Sequence, residues 1–426
     1  VTTTATAALQ PSISLLPSKK TPIVLSVIAL ITLISFGFLG SSQAANFSLS
    51  TSTDAFKIPD LVFPGMATNI VFGVLLLAVA GYSWWLRSKG RTLPTYAVVL
   101  AAVLFVLGFL IWVVSGANIN TISLASLLAG AVVLAVPLVF GSLSGVLCER
   151  AGVVNIAIEG QLLGGAFTAA IVASITKNAF AGLIAAGIAG ALVSLVLALF
   201  AIKYLVNQII VGVVLNVLVS GITGFLFTTV MQEDPELFNS PAHLPVIAIP
   251  GLSAIPVLGP ILFKQSVIGY LMYLAVFLVW FGLFKTRWGL RVRAVGEHPK
   301  AADTLGIKVN ATRFWNVTLG GIIAGIGGSF FTLVAIDSFT KEISGGRGFI
   351  ALAAVIFGRW NPIGAFAAAL LFGFADNLQV ILTIIGTPVP SQFMAMMPYL
   401  VTIFAVAGLV GRSRGPAAAG EPYVKE

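Results

Sequence analysis

Long apolar runs separated by short polar interruptions make up most of the chain. They lie near 23–39, 66–86, 95–115, 124–147, 160–176, 180–202, 207–230, 266–284, 314–335, 363–384 and 393–410. A helix needs about 20 apolar residues to cross the ~30 Å hydrocarbon core of a bilayer, and most of these runs approach or exceed that length. They are continuous rather than alternating, which predicts helices and argues against an outer-membrane barrel. The fold class is therefore all-α, a polytopic transmembrane bundle of about ten to twelve spans with broken or re-entrant helices. One of the breaks is expected in the run at 124–147, which carries Pro137 and several glycines, a composition tolerated where neighbours satisfy the freed backbone groups.

A shorter apolar segment, 349–357, has Gly345, Gly346 and Gly348 before it and Gly358, Arg359, Asn361 and Pro362 after it. Discontinuous helices of this kind occur where transporters put backbone groups in a cavity. Counting it as a crossing gives twelve passes with both chain ends in the cytoplasm.

The polar interruptions set the orientation. Arg87, Lys89 and Arg91 separate two runs, and 285–313 holds seven basic residues: Lys285, Arg287, Arg291, Arg293, Lys300, Lys308 and Arg313. Basic residues collect on cytoplasmic loops, so both segments are assigned inside. Loops assigned outside hold only Lys57, Lys177, Lys264, Lys341 and Arg347. Within 285–313, Pro299 at the head of an AADTLG run, with Gly306 beyond it, predicts a short helix with a proline start and a glycine stop. So short a helix is not stable alone in water and needs something to dock on, a cytoplasmic partner protein being the economical choice.

The ends and the longest loop add less. The first twenty residues are rich in Thr, Ala and Ser and end in Lys19-Lys20; with the run that follows they superficially resemble a signal peptide, and an uncleaved first helix is preferred. Six prolines between Pro235 and Pro260 forbid a regular helix in the outer loop 231–265, where Glu233, Asp234 and Glu236 form a solvated acidic patch. The tail, 413–426, reads as polar and mobile.

Composition sharpens the class. The 426 residues are 58% hydrophobic and 9% charged, so the net charge of +9 is chiefly topological rather than a nucleic-acid footprint. A single cysteine, Cys148, excludes an internal disulfide and a cysteine metal site, and two distant histidines, His243 and His298, argue against a histidine metal centre. The glycines of GGIIAGIGGSF sit in an apolar helix with no preceding strand; Gly321, Gly325 and Ser329, or Gly320, Ala324 and Gly328, form packing stripes rather than a nucleotide loop. No GxxxxGK[ST] motif is present.

In so apolar a chain the stretch 148–165, CERAGVVNIAIEGQLLGG, stands out. It places Glu149, Arg150, Asn155, Glu159 and Gln161 between two apolar segments. A charge at the centre of a spanning helix costs about 2.5–3.5 kcal/mol on insertion scales, so such groups face a bundle interior or a wet cavity. The stretch is expected to be a helix break near a membrane face or a translocation path; an interfacial Glu149-Arg150 pair at a turn is the simpler alternative. The candidates for the path wall are Asn155, Glu159, Gln161, Asn216, Asn361, Asp376, Asn377 and Gln379, chosen on membrane cost alone. In a secondary transporter, Glu159 or Asp376 could instead be a proton site. A membrane enzyme would need a cluster of His, Cys or paired acids that the sequence does not show.

Three stretches, ERAGVVNIAIEGQLLGGAF, AVGEHPKAADTLGI and GGRGFIALAAVIFGRWNPIGA, resemble permease subunits of bacterial ABC importers for nucleosides and simple sugars, in the branched-chain amino acid/ribose-type superfamily. The similarity is closest to the nucleoside branch that works with a basic-membrane-lipoprotein type of binding protein, and it covers roughly 120–412. It implies an N-terminal extension of about three spans at 1–118, a permease core at 119–412 and a cytoplasmic tail at 413–426. It implies a coupling helix that meets a separate ATPase through Gly296, Glu297, Pro299, Ala301, Ala302 and Gly306. It also implies a second permease subunit, commonly a different chain, and an extracytoplasmic binding lipoprotein. The chain itself would bind no cofactor, ATP and Mg being held by the ATPase, and would have no catalytic site. Nucleosides are the implied substrate, with a sugar such as ribose or galactose as the alternative.

Overall fold

A computed structural model describes residues 18–50, 54, 56–387, 392–393, 396 and 415–425. Apart from residues 393 and 396, the run at 393–410 lies outside the described residues, as do the first seventeen. The chain forms, in order, α1 (Lys20–Phe38), β1 (Ala44–Ser48), β2 (Leu61–Pro64), α2 (Gly65–Ser88), α3 (Thr95–Ser115), β3 (Thr121–Ser123), α4 (Leu124–Arg150), α5 (Ile158–Thr176), α6 (Ala179–Lys203) and α7 (Gln208–Met231). There follow the single turn α8 (Pro235–Phe238), β4 (Val246–Ala248), β5 (Lys264–Ser266), α9 (Val267–Lys285), α10 (Arg287–Glu297), α11 (Pro299–Thr304), α12 (Val309–Ala335), α13 (Arg347–Phe357) and α14 (Pro362–Ile384). Ten helices among the described residues are long and apolar enough to cross a membrane.

The described chain divides into two compact units. The smaller contains α1, α2 and α3 with β1 and β2. Its helices approach closely where side chains are absent: a Cβ on Gly73 would lie 2.8 Å from the Leu33 Cα. Phe36 stacks on Trp112 with ring centroids 5.0 Å apart. The polar stretch after α1 is partly ordered as strand, Ala44–Phe47 pairing antiparallel with Leu61–Pro64.

The larger unit is built around α12, which packs on α4, α5 and α6. Both glycine stripes of α12 are used. A Cβ on Gly325 would collide with the Ala186 carbonyl of α6, one on Gly328 with the Leu162 carbonyl of α5, and one on Gly320 would lie 2.7 Å from the Cys148 sulfur of α4. Small residues let helix backbones touch, which replaces the hydrophobic drive that lipid cannot supply between spans. Helix starts are capped as the sequence allows: the side chain of Asn178 accepts from Phe180 N–H at 2.9 Å, and that of Asn207 from Ile209 N–H at 2.9 Å.

Two expectations are corrected. Helix α4 is not broken at Pro137 but runs unbroken from Leu124 to Arg150. A proline removes one ladder bond, and here Ala135 to Glu149 are all buried by surrounding helices, which hold the axis. The tail, expected without fixed contacts, is instead seated on the α10–α12 region over 415–425. The 285–313 segment also contains one helix more than expected, the amphipathic α10 preceding α11.

Candidate functional site

The break falls at 151–157, between α4 and α5. Irregular backbone inside a membrane protein must have its polar groups satisfied by protein, and α7 supplies two amides for that purpose. Gln208 Oε1 accepts from Val154 N–H at 2.7 Å. Asn216 accepts from Gly160 N–H at 2.8 Å and donates to the Ile156 carbonyl at 2.9 Å. Asn216 is eight residues into α7, about 12 Å along its axis. Helix α5 therefore starts well inside the bundle rather than at its face.

Helix α13 begins beside the start of α5 and ends beside the end of α4. Its eleven residues span about 16 Å, half a bilayer core. Its C-terminal end turns at Gly358–Asn361 beside the end of α4, where Arg150 Nε donates to the Trp360 carbonyl at 2.8 Å and the Trp360 indole donates to Glu149. Its N-terminal end meets α5 at Glu159. One carboxylate oxygen accepts from Ser344 Oγ at 2.6 Å and from Gly346 N–H at 2.8 Å; the other accepts from Gly348 N–H at 2.6 Å. Gly346 has φ +79°, a left-handed conformation that glycine adopts without cost from a Cβ. A Cβ on Gly348 would lie 2.5 Å from the Glu159 Cα, so glycine there permits the approach. The carboxylate thus caps the first turn of a half-membrane helix and complements its dipole.

Asp376 of α14 approaches the same turn, its Oδ2 lying 3.9 Å from Arg347 Nε, and the Arg347 guanidinium lies over the Phe331 ring at 5.6 Å. The structure thereby gathers Glu159, Arg347 and Asp376 around one helix start, with Asn216 holding α5 beside it. The break also holds a second cluster, which is closed. Asn155 donates to Ser144 Oγ and Gln161 Oε1, both at 3.1 Å, and Gln161 Nε2 donates to Ser194 Oγ at 2.8 Å. Asn155, Gln161, Ser144 and Ser194 are all fully buried, so their capacity is spent on joining α4, α5 and α6. The remaining candidates lie apart. Asn361 caps α14 by accepting from Ile363 N–H at 2.9 Å. Asn377 donates to the Leu127 carbonyl of α4 at 2.7 Å. Gln379 is half-buried on α14.

At the α10–α11 end, Gly296 is pressed against the end of α4, where a Cβ would collide with the Arg150 carbonyl. Pro299 opens α11, and Gly306 stops it with φ +80°. Ala302 is buried, whereas Glu297, Ala301 and Leu305 face outward, Leu305 being 81% exposed. Three partners were missed from the sequence: Ser344 as a ligand of Glu159, Arg313 as a buried residue rather than a topological charge, and the tail. Only the glycines after Ser344, at 345, 346 and 348, carried a signal. Among the described residues no group of three or more His, Cys, Asp and Glu side chains could hold a metal.

Ten span-length helices, a half-membrane helix and a polar centre at its inner end define a multi-pass membrane protein of the transporter type. Residues 126–406 match the family of permease components of the branched-chain amino acid transport system, and the chain belongs to that family. It is 41% identical to the guanosine ABC transporter permease protein NupQ of Bacillus subtilis over 316 residues, covering 71% of this chain and 97% of the relative. It is 37% identical to the nucleoside ABC transporter permease protein NupC of Lactococcus lactis, covering 72% and 98%. It is 33% identical to a putative glucose ABC transporter permease protein, TsgC13, of Haloferax volcanii, covering 71% and 98%. No solved structure matches the chain.

Proposed function

We propose that the chain forms the translocation path of an ATP-driven importer for nucleosides in a bacterial plasma membrane. The identity to NupQ and NupC across nearly the whole of both relatives carries this reading. Hydrolysis belongs to a separate ATPase subunit that holds ATP and Mg. A second permease chain completes the path, and an extracytoplasmic lipoprotein delivers the substrate. The excess of basic residues in 285–313 supports a cytoplasmic side for α10 and α11, and in this reading Lys19, Lys20 and the tail share it.

In this reading the core is 119–412, preceded by an extension at 1–118. The exposed surface formed by Glu297 at the end of α10, Ala301 of α11 and Leu305 just after it contacts the ATPase, and Gly296 passes its movement to the end of α4. Glu159, Asn216 and Asp376 border the path where α13 begins, while Asn155 and Gln161 hold its supporting helices together. A neutral, hydroxylated ligand suits a path whose charges are already occupied by helix termini and each other.

The test is uptake of labelled guanosine, adenosine, uridine, ribose and glucose by cells expressing this chain with its partner ATPase, second permease and binding protein, alongside Leu305→Asp. Nucleoside uptake abolished by Leu305→Asp is the expected result. Sugar uptake alone would move the substrate class, and uptake by this chain without any ATPase would overturn the importer reading.

A further inference from the structure

The segment Gly415–Lys425 is bound to four separate parts of the larger unit. Ala418 N–H donates to the Gly296 carbonyl at the end of α10 at 3.0 Å, and Gly420 N–H donates to the Gly152 carbonyl in the α4–α5 break at 3.3 Å. Arg313 of α12, a fully buried side chain, donates through Nη1 to the Glu421 carbonyl at 2.8 Å. Lys425 Nζ lies 3.8 Å from Asp303 of α11. The Tyr423 side chain is buried in one cluster with Val295, Ala302 and Val309. It is the largest member of that cluster, and Ala302 is the buried side chain of α11 itself. A six-residue helix has little packing of its own, so the tail supplies a wall of the core that keeps α11 in place.

The segment leaves the outward face of α11 open. With Tyr423 buried, Ala301, Thr304 and Leu305 remain exposed. We propose that Gly415–Lys425 is a permanent strap: a positioning element that ties α10 and α11 to the ends of α4 and α12, so that a push on α11 reaches the membrane helices instead of bending the turn. The proposal rests on α11 being the ATPase contact. A latch that must leave during transport would be expected to cover that contact, and this segment lies behind it.

The experiment uses the complete transporter in proteoliposomes, with labelled guanosine as the probe and ATP hydrolysis measured in parallel. Tyr423→Ala and a chain ending at Arg414 should retain the ATPase subunit and its hydrolysis, while guanosine moved per ATP falls about tenfold, within the range of coupling changes from single sites. Tyr423→Phe should restore coupling. An Asp303→Cys/Lys425→Cys chain bridged by a short bis-maleimide should transport as well bridged as unbridged; Cys148, the single native cysteine, is fully buried. Unchanged transport per ATP in Tyr423→Ala would overturn the strap, and so would transport lost on bridging. Leu305→Asp is run beside them: if it leaves the ATPase bound and uptake normal, the α11 contact fails independently of the tail.

Discussion

The Glu159 carboxylate lies 2.6 Å from the backbone nitrogen of Gly348, so a side chain at the start of α5 caps the start of α13, 189 residues away in sequence. Two helix N-termini therefore share one acid inside the bundle. A side-chain acceptor at a helix start satisfies amides that the helix itself leaves unpaired.

Removing that acceptor strands the amides of Gly346 and Gly348. Glu159→Ala should cost about 1.5–3 kcal/mol, and Glu159→Gln less, since an amide oxygen still accepts. Thermal unfolding of the purified chain in detergent measures both. A melting temperature unchanged by Glu159→Ala would mean that the cap carries no stability.

Gly348 faces the Glu159 backbone so closely that Gly348→Ala must push α13 away. Gly346→Ala meets a different obstacle, a φ of +79°, with a cost of order 1–3 kcal/mol for a non-glycine residue in a sparsely populated region. Both should lower uptake, with Gly348→Ala also reducing the yield of monodisperse protein.

The Asn155–Gln161 pair is a closed unit, so its two members should be energetically coupled. Asn155→Leu and Gln161→Leu each leave buried groups of the other unpaired, at about 1–3 kcal/mol. The double variant should cost less than the sum by about 1 kcal/mol. Additive effects in a double-mutant cycle would show that the network does not act as one.

Glycines on helices are not equivalent here. Gly325→Ala drives a methyl group into the α6 backbone and should abolish recovery of folded protein. Gly221→Ala on α7 meets nothing within 4 Å and should be neutral or slightly stabilising, by up to about 1 kcal/mol, since alanine restricts the unfolded chain and favours helix. Size-exclusion profiles after expression distinguish the two.

Much of the architecture was legible because membrane helices announce themselves one at a time. Length and hydropathy placed the runs that became α2, α3 and α9 within two or three residues of their ends, and Pro299 with Gly306 delimited α11 through local backbone chemistry. Pro137 misled because its effect depends on neighbours: a proline predicts a lost bond, but only packing decides whether the helix bends. Tyr423 and the rest of 415–425 carried no pattern, since an irregular strap is held by backbone bonds to partners that have no sequence relation to it.

The sequence by itself determined the medium, the number of helices to within a few and the half-length of α13, because each follows from how a single segment interacts with lipid and water. Tertiary structure alone decided what each polar residue does. Asn155, Glu159, Gln161 and Asn216 look alike as costly groups in an apolar chain. Their roles separate only when the fold brings Ser194, Gly348 or Ile156 within hydrogen-bonding distance, because a buried polar group is defined by the partner that satisfies it.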